Sequence, residues 1–293
     1  MNGLKKAARA SNCRAGIRFV VAAITALAAL PCSFAGERSR KLLWNLVSSG
    51  GNLTERIETI SAWFLGTPYG YSPLGEGPGK EPDPDPTFRL DLMDCETFVE
   101  TTLALALASD RSEVDRWMRT IRYIDGEVDY RKRKHFTAAQ WVPENRQLGL
   151  IEDITARVAG SPSLLETVSK KLDAASWQRR SPARRWPRLS PSEIPKGVFS
   201  LKVIPLGRLV EVARRIPSGS ILLVVQANRP DMPVLVSHMG FVIIKEGKPF
   251  FRHASRLEGR VTDVPLERFV ESTSRYRKWK VVGVNLQLPR RPK

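Results

Sequence analysis

The chain of 293 residues carries 47 lysine and arginine residues against 30 aspartate and glutamate residues, which gives a formal net charge of +17. A chain of this length can bury a complete hydrophobic core as one domain, with room for an insertion. Its sequence has no paired cysteines of the zinc-binding type, no glycine-rich phosphate loop and no aromatic–basic RNA-binding motif, which argues against those classes of site.

Residues 1–35 are predicted to be an export signal. A basic start leads into the apolar stretch 19–30, which is too short to span a bilayer comfortably. Ser33 and Ala35 then provide small side chains at positions that a signal peptidase reads. We therefore expect a soluble protein that crosses the inner membrane to the periplasm and keeps no stable membrane span after cleavage. The remaining residues, 36–293, are predicted to form a single domain.

Apolar residues recur at a helix-like spacing through much of the first half of the chain. Residues 49–52 interrupt the first helical stretch, and residues 72–87, rich in glycine, proline and acidic residues, are predicted to form a surface loop. A short strand is predicted at 88–92, where apolar and polar residues alternate. The predicted helices are 37–64 with that interruption, 94–108, 113–123 and 206–216.

The second half of the chain is predicted to form strands, since it contains runs rich in valine, isoleucine and leucine between turn signals. The basic, proline-containing stretch 160–198 is predicted to be an irregular excursion without a core of its own. The predicted strands are 221–226, 234–244, 249–253 and 281–286, with a hairpin turn at 245–248. Helices followed by a meander of strands indicate an α+β fold.

Cys95 is the only cysteine that would remain after removal of the signal, because Cys13 and Cys32 lie within it. An exported protein with one cysteine cannot form an internal disulfide, and oxidising compartments damage idle thiols. Asp94 is a good helix N-cap, which places Cys95 in the first turn of a helix. Aligned peptide dipoles there favour an anion and can lower a thiol pKa from about 8.5. The position therefore favours a nucleophile over a core side chain.

The chain has three histidines, His135, His238 and His253, and the last two lie on apolar, strand-like segments. A lone buried cysteine is usually a small core residue, and a lone strand histidine can simply be a satisfied structural residue. The combination of a thiol with nearby histidines is instead typical of a cysteine nucleophile with an imidazole base. Nucleophilic thiol chemistry is therefore the first hypothesis.

Several short motifs follow one another in a recognisable order. They are Leu65-Gly-Thr-Pro-Tyr69 at a helix end, Asp94-Cys95 at a helix start, Ser237-His238-Met-Gly240 at a strand start and His253-Ala-Ser255 at a hairpin end. This order resembles that of the NlpC-type papain-like cell-wall cysteine hydrolases. A second set consists of Cys95-x-Thr97-Phe98-Val99-Glu100, His135-Phe136, Trp141-Val-Pro-x-Asn145 and Asp153-Ile-Thr155. It is similar to that of a subgroup described as N-acetylmuramoyl-L-alanine amidase-like.

The resemblance implies an α+β, papain-like fold in which N-terminal helices, with the nucleophile at a helix start, pack on an antiparallel sheet. Cys95 matches the family's nucleophile, and His238 matches the general base. His253 matches the polar third position, which orients the base, with Ser255 as the fallback.

Three further residues match positions for substrate binding or for stabilising an oxyanion: Tyr69, Asp94 and His135. Tyr69 matches a tyrosine whose hydroxyl points into the active site. In related endopeptidases, the aspartate that matches Asp94 recognises a free amino group of a peptide stem. The broader family usually has Ser-Gly after the cysteine, whereas this chain has Glu96-Thr97, which favours the amidase-like subgroup.

The resemblance implies a hydrolase that cleaves an amide bond of peptidoglycan or of muropeptides, without a metal or other cofactor because the thiolate supplies the nucleophile. The preferred bond joins N-acetylmuramic acid to L-alanine, and the alternative is the bond between L-alanine and γ-D-glutamate. A non-catalytic exported binding protein on the same fold is the runner-up. A third hypothesis, a basic exported protein that binds nucleic acid or lipid, is supported only by the positive net charge. No nucleic-acid partner is expected. The oligomeric state stays open.

Overall fold

A computed structural model describes residues 32–173, 175, 189–190, 192–230, 232–276 and 280–292. Most of the predicted export signal, residues 1–31, lies outside this part of the chain. The chain divides into two units, Met1–Arg40 and Lys41–Lys293. In the part that the structure describes, no helix combines the length and the apolar character needed to cross a membrane.

Helices dominate the first half of the described chain, and strands dominate the second half. The helices are α1 Cys32–Ser48, α2 Leu53–Trp63, α3 Cys95–Leu107, α4 Val114–Arg122, α5 Val142–Gln147, α6 Thr155–Ala159, α7 Leu209–Val212 and α8 Leu266–Ser274. The strands are β1 Ile151–Asp153, β2 Glu166–Leu172, β3 Gly197–Pro205, β4 Ser220–Gln226, β5 Val236–Lys245, β6 Lys248–Ser255, β7 Arg260–Pro265 and β8 Val281–Pro289.

The strands form an antiparallel sheet with the order β2-β3-β8-β4-β5-β6-β7, and β1 pairs with one end of β8. Strands β4 to β7 follow one another as a meander, whereas the C-terminal strand β8 lies between β3 and β4. The predicted α+β class with an antiparallel sheet is therefore confirmed.

Strand β4 shows why this sheet needs apolar residues on both faces. Its residues Ile221, Leu223 and Val225 belong to one core cluster, which also contains side chains of α2, α3 and α4. Leu222 and Val224 belong to a second cluster, with side chains of α6, α7 and α8. Successive side chains of a strand point to opposite faces, so helices cover β4 on both sides.

Two predictions about secondary structure are wrong. Residues 88–92 do not form a strand; directly after them, Met93 makes only an isolated parallel bridge with Tyr69. The stretch 160–198 is not irregular throughout, because β2 lies in it and pairs along its whole length with β3. Strand β2 is largely polar since it lies at the edge of the sheet, where most of its side chains are only partly covered. The central part of the stretch, residues 176–188, lies outside the described residues.

Helix α3 runs through the core of the protein. Every side chain from Thr97 to Leu107 is buried. Phe98 makes edge-to-face contacts with Phe64 and Phe241, at ring-centroid distances of 6.2 and 5.7 Å. Such aromatic pairs add specific contacts to the area that they bury. Packing therefore fixes the helix against both α2 and β5.

The buried guanidinium group of Arg56 on α2 satisfies carbonyl groups at the C-terminal end of α3. Its Nε donates to Ala106 O at 2.7 Å, and Nη2 donates to Ala108 O at 2.6 Å. Nη2 also donates to Val47 O, at the end of α1, at 2.8 Å. The last carbonyl groups of a helix have no partner within the helix, so a buried cation at this place stabilises them.

We expect the substitution Arg56→Leu to lower the free energy of unfolding by about 3 kcal/mol, because it leaves buried carbonyl groups without donors. The control is Arg268→Leu, at an exposed arginine of α8, which should change stability by less than about 0.5 kcal/mol. Chemical denaturation of both variants measures these differences. Equal stabilities would show that Arg56 does not hold the helix ends together.

Candidate active site

Cys95 is the first residue of α3, and Asp94 is the N-cap of this helix. The Asp94 carboxylate accepts the Thr97 N–H at 2.8 Å, and the Thr97 hydroxyl accepts the Asp94 N–H at 3.0 Å. This reciprocal arrangement satisfies two backbone donors at the helix start. The second carboxylate oxygen accepts the Ser72 N–H at 3.1 Å, which ties the preceding loop to the helix. The prediction that Asp94 caps this helix is confirmed.

The segment before α3 is joined to the chain that follows α2. Met93 and Tyr69 form a parallel bridge, in which the Gly70 N–H donates to Met93 O at 3.0 Å. The Tyr69 N–H donates to Gly259 O at 2.8 Å, in the turn between β6 and β7. These backbone contacts place the Tyr69 side chain at the wall of the cavity that contains Cys95.

His238 on β5 and His253 on β6 form a hydrogen bond between their rings, with 2.6 Å between His238 Nε2 and His253 Nδ1. Gly240 permits the close approach of the two strands: a Cβ there would lie 2.4 Å from Arg252 O and 2.8 Å from the Cβ of His253. The His253 ring stacks on Phe251 with 4.7 Å between centroids. The histidine pair therefore depends on a glycine and an aromatic ring of the same hairpin.

Cys95 and His238 line the same cavity, which has a volume of about 380 Å³. The backbone N–H groups of Glu96 and Met239 act to lower the pKa of the Cys95 thiol, so the residue next to His238 lies near the candidate nucleophile. The volume lies in the range of small-ligand sites, about 300–1,000 Å³. The lining combines apolar with ionisable side chains, among them Met232, Val234, Val236, Val281, Asp94 and Glu100.

Burial keeps both imidazole rings of the histidine pair uncharged at neutral pH. It lowers the pKa of His238 to about 3, and the neighbouring His253 adds to this effect. Burial also lowers the pKa of His253 to about 4, although the carboxylate of Asp263 acts in the opposite direction. A neutral imidazole can accept a proton, which is the property that a general base needs.

The electrostatic surroundings of Cys95 differ from the expectation for a helix start. Burial, followed by the carboxylates of Asp94 and Glu96, raises the pKa of the Cys95 thiol. The backbone N–H groups of Glu96 and Met239 act in the opposite direction but do not outweigh these effects. The prediction of a lowered thiol pKa is therefore wrong, because it considered only the helix dipole. The resting site contains a neutral thiol and neutral imidazoles.

Tyr69 and His135 both line this cavity. Burial raises the pKa of Tyr69 to about 12, so its hydroxyl stays protonated and can donate a hydrogen bond. The His135 Nε2–H donates to Tyr130 O at 2.7 Å. Tyr130 lies five residues before His135, so this contact orients the His135 ring against its own segment of the chain.

The third position next to His238 is occupied by His253 and not by the fallback Ser255. The Ser255 hydroxyl accepts the Glu258 N–H at 3.1 Å in the turn after β6. It therefore stabilises the turn, while His253 makes the contact with the His238 ring. The structure thus brings Cys95, Tyr69, Asp94, His135 and His238 to one cavity, with His253 behind His238.

A buried ion pair beside the candidate nucleophile was missed by sequence reasoning. The Glu100 carboxylate lies 2.5 Å from Arg122 Nη1, and both residues line the cavity. The Trp141 Nε1–H donates to the other Glu100 oxygen at 3.1 Å, and Trp141 is fully buried. Glu100 occurs in the motif that starts at Cys95, but nothing in the sequence indicates its partner. The pairing exists because α4 packs on α3.

The ionisable side chains of the described residues are not arranged as a metal site. Among those that the structure describes, no group of three or more histidine, cysteine, aspartate and glutamate side chains could hold a metal ion. That the reaction needs no metal stays a prediction.

The sequence pattern of a family described as AmiA-like, N-acetylmuramoyl-L-alanine amidase-like, matches residues 59–276. The chain belongs to this amidase-like family. The matched range contains each of the residues that the sequence analysis placed in the site, from Tyr69 to His253. None of the curated proteins compared with the chain matches it.

Solved structures share the fold of this amidase-like chain. A Legionella pneumophila protein of the DUF1460 family is 26% identical with a TM-score of 0.75, and the match covers 88% of this chain and 95% of that chain. An N-acetylmuramoyl-L-alanine amidase from Bacteroides uniformis is 23% identical with a TM-score of 0.60, and the match covers 82% and 100% of the two chains.

The neutral resting state predicts how the reactivity of Cys95 depends on pH. Only the thiolate is alkylated, and the raised thiol pKa keeps the thiolate a minor species at neutral pH. We expect the rate of alkylation by iodoacetamide to rise about tenfold for each pH unit from about pH 6 to 9, without a plateau. Mass spectrometry of the Cys95-containing peptide measures this rate, with glutathione as an ordinary thiol for reference. A plateau below pH 7 would reveal a preformed thiolate and contradict this account.

Proposed function

We propose that the protein is a cysteine hydrolase that cleaves the amide bond between N-acetylmuramic acid and L-alanine in peptidoglycan or muropeptides. One observation carries the chemistry: Cys95 starts a helix in the cavity that His238 also lines, and the His238 ring is hydrogen-bonded to His253. Membership of the amidase-like family supports the choice of substrate and bond. The net positive charge of the chain is compatible with an acidic polymer.

The proposed reaction starts with a proton transfer within the site. In the tautomer that we assign, His238 donates its Nε2–H to His253 Nδ1, which leaves the lone pair of His238 Nδ1 for the thiol proton. As Cys95 loses this proton, its sulfur attacks the lactyl carbonyl carbon of the substrate. Because thiol and imidazole are both neutral at rest, the proton moves during the attack and not before it.

The tetrahedral intermediate then loses the amine. His238 returns the proton to the nitrogen of L-alanine, the carbon–nitrogen bond breaks, and a thioester remains on Cys95. Water, deprotonated by His238, attacks the thioester and releases the muramyl carboxylate and the free thiol. The protonated Tyr69 hydroxyl and the Cys95 N–H are the donors that we assign to the oxyanion.

The papain-like, NlpC-type assignment of the fold is part of this proposal. It is supported by a nucleophile at a helix start, packed on an antiparallel sheet that carries the base and its orienter on neighbouring strands. Export to the periplasm is proposed from residues 1–35 alone. N-terminal sequencing of the protein isolated from cells tests it, and a start at Gly36 is the result that the proposal requires.

The substitutions Cys95→Ala and Cys95→Ser should each reduce hydrolysis by at least about 1,000-fold with the fold intact, because neither leaves a thiol in the site. The assay is mass spectrometry of a defined muropeptide that carries an N-acetylmuramoyl-L-alanyl-γ-D-glutamyl stem. The wild type should release the intact peptide with a free L-alanine amine.

Three other outcomes of this assay would contradict the proposal in different ways. Release of muramyl-L-alanine would identify the endopeptidase instead, and an intact substrate would favour a non-catalytic binding protein. Loss of activity with a chelator, restored by zinc, would indicate a metal amidase. Chelators should leave the wild-type rate unchanged.

The three histidines should differ in their effects on turnover. His238→Ala should approach Cys95→Ala in severity, because it removes the base. His253→Ala should keep measurable activity, with kcat lowered roughly 10- to 100-fold, because it removes only the orienting group. His135→Ala should raise KM more than it lowers kcat, because this side chain lies at the cavity wall. Steady-state kinetics on one muropeptide, with circular dichroism as the folding control, measures all three. An inactive His135→Ala with an active His238→Ala would show that the base is misassigned.

A further inference from the structure

The carboxyl group that directly follows the candidate nucleophile has no assigned role. Glu96 lies in the first turn of α3, lines the cavity and is only partly buried, so a ligand in the cavity can reach it. Within the described part of the chain, no residue makes a hydrogen bond or an ion pair with its carboxyl group. An unpartnered carboxyl group at the wall of an active-site cavity is a candidate contact for the substrate.

The two neighbouring acidic residues of the cavity wall are occupied, in contrast to Glu96. The Asp94 carboxylate accepts the N–H groups of Thr97 and Ser72. The Glu100 carboxylate lies 2.5 Å from Arg122 Nη1. Both acids are therefore tied to the protein, whereas the Glu96 carboxyl group is left for a ligand.

The surroundings of Glu96 also favour its protonated form. Burial, followed by the negative charge of Glu100 one turn further along the same helix, raises the pKa of Glu96. Asp94 acts in the same direction, while the positive charges of Arg122 and Arg133 act against it. A protonated carboxyl group carries one O–H, so it can donate a hydrogen bond that a carboxylate cannot.

We propose that Glu96 is a specificity-determining residue whose carboxyl group donates a hydrogen bond to an amide carbonyl oxygen of the bound muropeptide. This inference rests on the proposed function. An anionic acceptor would lie close to the carboxylates of Asp94 and Glu100, whereas an amide carbonyl is a neutral acceptor. Amide carbonyls flank the scissile bond on both sides, in the acetamido group of the sugar and in the L-alanyl residue.

Two substitutions at the same position separate the donor from the charge. Glu96→Gln keeps a group of the same shape with N–H donors, whereas Glu96→Ala removes the donor. We expect kcat/KM of Glu96→Ala to fall about 10-fold, mainly through KM, which is the loss that corresponds to one hydrogen bond. Glu96→Gln should stay within about 2-fold of the wild type. Glu267→Ala, at an exposed glutamate of α8, is the matched control and should leave the rate unchanged.

Substrate analogues identify the acceptor oxygen. One analogue carries a hydroxyl in place of the acetamido group, and another carries L-alaninol in place of the L-alanyl residue. The analogue that lacks the true acceptor should be processed equally by the wild type and Glu96→Ala, while the other analogue keeps the 10-fold difference. If Glu96→Gln is as impaired as Glu96→Ala, the charged carboxylate makes the contact, and the proposed hydrogen-bond donation is wrong. An unimpaired Glu96→Ala would show that Glu96 makes no contact.

A measurement of muropeptide binding, without turnover, distinguishes a missing Glu96 contact from a missing hydrolase activity. Calorimetry with the muropeptide is done on Cys95→Ala alone and on Cys95→Ala combined with each Glu96 substitution. A wild type that binds but leaves the muropeptide intact would refute the hydrolase, while a 10-fold weaker Kd with Glu96→Ala would still support the contact. No measurable binding by the Cys95→Ala protein would overturn both.

Discussion

The burial of helix α3 is the constraint on which the rest of the site depends. Its side chains from Thr97 to Leu107 are enclosed, so the helix cannot shift along its axis without losing packing over its whole length. Polar groups fix both ends: the Asp94–Thr97 capping box at the start and the Arg56 guanidinium group at the last carbonyls. Cys95 is the first residue of this helix, so its sulfur takes up a position that the core determines.

The chemistry of the site follows from how the sheet meets that helix. The paired register of β5 with β6 ends at Phe241 and Arg252, and two residues before Phe241 the Met239 N–H lies near the Cys95 sulfur and acts to lower the pKa of its thiol. The same region holds His238 against His253, and burial keeps both rings neutral. Thiol and imidazoles are thus uncharged at rest, while the nearby Glu100 carboxylate is paired with Arg122. In the proposed mechanism, substrate binding places an electrophile at the sulfur and is the event that makes proton transfer productive.

Local signals were sufficient for part of this structure. Asp94 as an N-cap, the break at residues 49–52 and the turn at 245–248 each depend on a few adjacent residues, and the structure confirms them. Strand β7 was missed because its polar residues, such as Asp263, are satisfied by partners on other elements. The pairing of Glu100 with Arg122 could not be predicted, because the two residues are 22 positions apart in the sequence and meet only through the packing of two helices. The same holds for the thiol pKa, which burial controls and which no local pattern encodes.

The central claim, that Cys95 attacks the carbonyl next to L-alanine, is tested most directly by the mass of the protein during turnover. Rapid acid quenching of the protein mixed with a muropeptide, followed by peptide mapping, would detect a thioester. The account predicts an adduct on the Cys95 peptide with the mass of the muramyl group and without L-alanine. An adduct that retains L-alanine would contradict the assigned bond. Turnover that proceeds without an adduct and persists in Cys95→Ala would contradict the nucleophile itself.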